Sequence, residues 1–85
     1  MDLITTVQFQ TLAEAGAIQY ASARGTVGGY VLVARVGMAE KALSMTRQKT
    51  PRVFTTLDGL ASVARRYGVR RLDVDMAGYE PTGLV

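Results

Sequence analysis

Cysteine, histidine and tryptophan are all missing from this chain of 85 residues, and proline occurs only twice. Without cysteine there is no disulfide framework, no cysteine zinc site and no thiol nucleophile. Without histidine the commonest general base and the commonest transition-metal ligand are gone as well. Long apolar runs are also missing. The longest, Tyr30 to Ala34, stops at Arg35, far short of the roughly 20 residues a membrane-spanning helix needs. The opening Met1-Asp2 carries neither the basic stretch nor the apolar core of a secretory leader. The expected location is therefore the cytoplasm, with no membrane partner.

What is present is a folded-domain composition, 48% hydrophobic and 20% charged. The length accommodates one small domain over residues 1–85, burying roughly 60–65% of its unfolded surface. The formal net charge is +3, the balance of ten Lys and Arg against seven Asp and Glu. That total hides a polarity. From Lys41 to Arg71 eight basic residues face Asp58 alone, a balance of +7, whereas the remainder has two arginines against six carboxylates, a balance of −4. Such a chain can attract a polyanion or the acidic part of a second copy.

The periodicities predict a small two-layer α+β domain: an antiparallel β-meander, one main helix and a returning strand, ββ(β)αβ. Thr11-Leu12-Ala13-Glu14 has capping-box spacing, so a short helical turn is expected to start at Thr11 and stop at Gly16. Strands are expected over 17–24 and 30–36, joined by a turn in the Gly25–Gly29 cluster. Gly37-Met38 then makes a tight hairpin. Residues 39–45 favour helix by propensity but alternate as a strand should, and strand is the reading taken. Thr55 or Thr56 caps the main helix, whose stripe Leu57, Leu60, Ala61, Ala64 and Tyr67 faces the sheet. Gly68 ends it, and 70–76 forms the last strand with Leu72, Val74 and Met76 inward. The tail from about Gly78 lacks periodicity and is expected to be loosely held.

Residue chemistry gives little support to catalysis. Asp73 and Asp75 share one strand face, yet two carboxylates without a third ligand make a poor metal site. They read better as a solvent-facing rim paired with neighbouring arginines. The Gly25–Gly29 cluster lacks the Lys-Ser/Thr of a phosphate loop, and no serine has a base. No catalytic residue, metal, cofactor or small-molecule substrate is expected, and the chain reads as a non-enzyme. One alternative stays open over 57–77. Val63-Ala64-Arg65-Arg66-Tyr67-Gly68-Val69 has the form of the first helix and turn of a helix-turn-helix unit, although Asp73 and Asp75 would then stand where phosphates approach.

Three stretches carry a family resemblance: Val7-Gln8-Phe9-Gln10-Thr11-Leu12-Ala13-Glu14-Ala15, Arg52-Val53-Phe54-Thr55-Thr56-Leu57-Asp58, and Tyr67-Gly68-Val69-Arg70-Arg71-Leu72-Asp73-Val74-Asp75 with Tyr79. Together they resemble small plasmid-encoded ParC-type partition-associated proteins, from Val7 to about Glu80. Tyr30 stands after the glycine pair where that family would be expected to have tryptophan. The resemblance implies a non-enzymatic accessory protein of bacterial plasmid partition or maintenance, acting beside a partition ATPase or a DNA-bound regulator. Plasmid DNA, partition proteins or both are the expected partners, and a homodimer is expected. Lys41, Arg47, Lys49, Arg52, Arg65 and Arg66 are the candidate phosphate contacts. The alternative is a protein-interaction module, a homodimer or an adaptor, that touches no DNA.

Overall fold

The computed structural model describes residues 2–44 and 50–80. Its elements run β1 (Asp2–Ile4), α1 (Thr6–Glu14), β2 (Tyr20–Thr26), β3 (Gly29–Val36), β4 (Ala39–Leu43), α2 (Leu57–Arg66) and β5 (Asp73–Asp75). The α+β class, the central meander, the main helix and the returning strand are all seen. Two elements lie outside the expected pattern, the edge strand β1 and a full helix α1.

The five strands form one sheet in the order β1-β4-β3-β2-β5. The meander β2-β3-β4 is antiparallel, with Ala23 opposite Leu32 and Val33 opposite Ala42. Both edges are parallel additions, β1 on β4 and β5 on β2. The connections through α1 and α2 each cross two strands in the same direction along the sheet. A crossover between parallel strands has one preferred hand, so both helices fall on the same face.

On that face the strands contribute Ala21, Ala23, Leu32, Ala34, Leu43 and Ile4, against Phe9 of α1 and Leu60 and Ala64 of α2. Phe9 and Leu60 are fully buried. The two helices meet where the ring of Phe9 lies 5.7 Å from that of Tyr67.

Helix α1 begins earlier than the Thr11 spacing suggests. Two capping boxes overlap in the sequence, and the first one operates. The Gln8 backbone N–H donates to Thr5 Oγ1 at 3.2 Å, and the Thr5 N–H donates to Gln8 Oε1 at 3.0 Å. Thr11 instead lies mid-helix, its hydroxyl donating to the Val7 carbonyl at 2.9 Å. Starting at Thr6 gives Phe9 a place on the inner face, and its burial decides between the two boxes.

Helix α2 is capped by Thr56, whose Oγ1 accepts from the Gly59 N–H at 3.1 Å. It ends as expected at Gly68, which sits at φ +95°, with the Val69 N–H donating back to the Ala64 carbonyl. A strand follows, so residues 57–77 are helix and strand and not helix-turn-helix. Residues 39–43 are a strand too. The last strand is shorter than 70–76, and only Leu72 of the expected inward set packs against the core. Val74 and Met76 are 43% and 57% exposed, because β5 lies at the sheet edge beyond the reach of the helices.

The described part of the segment after β5 runs beside the first hairpin as far as Glu80. The Gly28 N–H donates to the Glu80 carbonyl at 2.7 Å, the Glu80 N–H donates to the Thr26 carbonyl, and the Tyr79 ring stacks on Tyr30. Residues 81–85 of the tail expected from about Gly78 lie outside the described residues.

Candidate nucleic-acid interface

The amphipathic stripe of α2 positions the clearest basic surface. Leu60 and Ala64 turn inward, which leaves Asp58, Ser62, Arg65 and Arg66 on the solvent side. Arg65 and Arg66 are exposed in the last turn, where their charge also complements the helix dipole. They line a shallow open groove with Asp58, Ala61 and Ser62. Neither is ion-paired among the described residues.

The other candidates are placed differently. Lys41 is half-buried within β4, flanked in register by Asp2 and Ala34. Arg52 is held at the core margin. Its backbone N–H donates to the Leu43 carbonyl at 2.8 Å, and its guanidinium carbon lies 4.4 Å from the centre of the nearly buried Phe54 ring. A cation on an aromatic face gains attraction and covers apolar area, so this side chain is partly committed to packing. Arg47 and Lys49 lie outside the described residues. Of the six candidates the structure thus brings Arg65 and Arg66 together on α2, while Lys41 lies within β4 and Arg52 is bonded to that strand's last residue, Leu43.

Arg70 and Arg71 fall in the expected last strand and outside the candidate contacts. Both are exposed beside a cleft of about 420 Å³ between the start of β2 and the link that follows α2. Ile18 and Val69 give the cleft apolar walls, and Tyr20 and Asp73 give it polar ones. Hydrogen bonding to the Asp73 carboxylate is the main influence that holds the Tyr20 pKa above its ordinary value, with burial adding to the shift. Four arginines within residues 65–71 were the available signal.

The expected pairing of Asp73 and Asp75 with arginines is not found among the described residues. Asp73 lines the cleft with Tyr20, and Asp75 Oδ1 accepts from the Ala77 N–H at 3.0 Å. The ion pair that does form joins Arg24 on β2 to Glu40 on β4. It lies on the sheet face opposite α1 and α2. Arg24 is in register with Val31 and Glu40 with Arg35, so the pair spans diagonally across Val33. Val33 is 1% exposed there, with Ser22 and Ala42 buried beside it. Arginine stems thus do part of what a second layer would do. Hydrogen bonding to Arg24 holds the Glu40 pKa below its ordinary value, against the opposing effect of burial.

A family model described as ParC-like matches residues 4–83. The chain belongs to the ParC-like family. The match spans both helices and all of the meander. No curated protein and no solved structure matches this ParC-like chain. Among the described residues, no helix is long and apolar enough to cross a membrane.

Proposed function

We propose that this ParC-like protein is a non-enzymatic, cytoplasmic accessory factor of plasmid partition or maintenance. It associates with DNA, or with a DNA-bound partition complex, through the outer face of α2 and the basic segment that precedes it. The observation that carries this reading is the pair Arg65 and Arg66, exposed and without a carboxylate partner among the described residues. Phosphate contacts of this kind supply affinity and position but little sequence information. Arg47, Lys49 and Arg52 extend the basic charge along the chain, and Lys41 contributes on β4.

Anisotropy titration of a labelled DNA duplex tests the reading. Arg65→Ala/Arg66→Ala should weaken binding on every sequence alike and lower the salt slope by about 2, near one per lost phosphate contact. The fold should persist, because each helix-end charge contributes only about 0.3–1 kcal/mol. Unchanged affinity in the folded variant would remove α2 from the interface. A second reading, a protein-interaction module without DNA contact, is favoured by the engagement of Arg52 with Phe54 and by the half-burial of Lys41.

A further inference from the structure

Among the described residues strand β5 ends the sheet, paired only to β2, so its outer backbone edge has no partner there. Natural edge strands are guarded or used, because unpaired N–H and C=O groups accept another strand. The residues around this edge suit one occupant. Arg71 and Asp73 are opposite charges two positions apart, both exposed and neither ion-paired among the described residues. Side chains two apart on an extended strand share a face. Val74 is 43% exposed on the other face, next to the half-buried Leu72.

We infer that the edge segment 70–74, in which β5 is lengthened back through the link that precedes it, pairs antiparallel with the same segment of a second copy, about a two-fold axis at Leu72. In that register Arg71 meets the partner's Asp73 and Asp73 meets the partner's Arg71, while the stem of Arg70 covers the partner's Val74. A two-fold contact requires such self-complementarity, since each residue meets the image of its counterpart. The competing register centred on Val74 sets Asp73 against the partner's Asp75 twice, and like charges directly opposite are destabilising. The charge pattern therefore selects the register as well as the partner. β5 grows back from Asp73 through Arg70 as it pairs, giving a continuous ten-stranded sheet.

The geometry bears on the proposed function without depending on it. A two-fold axis perpendicular to the sheet keeps both helical layers on one side. The dimer then presents two copies of Arg65 and Arg66 to the same side, and a polyanion can engage both.

Sedimentation or light scattering across a concentration series reads the dimer directly, with no DNA present. The wild-type chain should dimerise reversibly, and more weakly as salt rises. Arg71→Asp and Asp73→Arg should each weaken self-association by at least about tenfold, with far-UV circular dichroism showing the fold retained. The double variant Arg71→Asp/Asp73→Arg exchanges the signs and should restore the dimer. Asp73→Asn keeps the size and shape of the side chain while removing its charge and should also weaken the dimer, which covers the case of a poorly folded Asp73→Arg. A monomeric wild type at every concentration, a dimer indifferent to both single changes, or a double variant that stays monomeric would each overturn the inference. Loss of DNA binding in Arg65→Ala/Arg66→Ala with the dimer intact would leave it standing, so the two proposals fail separately.

Discussion

The ring of Tyr79 lies on the ring of Tyr30, centroids 4.8 Å apart and planes 13° from parallel. Tyr30 is the cross-strand partner of Gly25. A Cβ at position 25 would lie 2.6 Å from Tyr79 Cβ and 2.7 Å from its backbone nitrogen. The glycine thus lets the C-terminal segment lie directly on β2, and the two tyrosines cover the space its missing side chain leaves. Gly78 is equally constrained, since a Cβ there would come 2.7 Å from the Gly25 carbonyl oxygen. Crossing the sheet this way anchors the segment after β5 beside the first hairpin.

Gly25→Ala should therefore destabilise the fold by about 1–3 kcal/mol, the usual cost of overpacking a tight contact. Thermal unfolding measures the loss. Near-UV circular dichroism should fall with it, because the obstacle is Tyr79 backbone and the stacked ring must leave with it. An unchanged melting temperature would contradict the close approach.

The start of α1 separates two threonines that look alike in sequence. Thr5→Ala removes the cap and should cost about 0.5–2 kcal/mol. Thr11→Ala removes only a back-bond to the Val7 carbonyl. It should stay within about 0.5 kcal/mol of wild type, as exposed substitutions usually do. Denaturant titration of the two variants decides which capping box operates.

The Arg24–Glu40 pair predicts an acid-side dependence. Glu40 has its pKa lowered in the folded state. Its contribution is therefore complete above the ordinary glutamate pKa and is lost as pH falls through the lower, folded value. Glu40→Gln should narrow its stability gap to wild type across that acid window and hold it constant near neutrality. Tyr20 has the opposite sign. Its pKa is raised by the bond to Asp73, so its contribution is present below the ordinary tyrosine pKa and is lost as pH rises through the higher one. Tyr20→Phe should remove that alkaline dependence. Urea midpoints measured across pH resolve both.

Much of this fold could be read from local chemistry. The alternation of Tyr30, Leu32 and Val36 against Val31 and Val33 marks the central strand, and the Leu57-Leu60-Ala64 stripe marks α2 and its buried face. Capping rules bound that helix by Thr55 or Thr56 and by Gly68, and the bond from the Gly59 N–H picks Thr56. The edges were harder, because β1 and β5 have three residues each and too little sequence to show a period. α1 was misplaced because two capping boxes compete, and only the burial of Phe9 chooses between them. Arg52 looked like a free cation, yet its stacking on Phe54 depends on a chain reversal that no local pattern encodes. The pair Arg24 and Glu40 is 16 residues apart in sequence and becomes a neighbour only through the meander register. Arg65 and Arg66 were legible as an exposed face because they fall off the apolar stripe.

The central claim is that basic charge on this ParC-like protein engages the DNA backbone. The most direct test is titration of a duplex at about 50 mM and about 200 mM salt, for the wild type and for Arg47→Ala/Lys49→Ala/Arg52→Ala. Affinity should fall steeply between the two conditions for the wild type. The triple variant should bind every sequence more weakly, with a salt slope lower by up to about 3. An affinity that is absent at low salt, or indifferent to salt and to the triple substitution in a folded protein, would contradict the account and leave the interaction-module reading in its place.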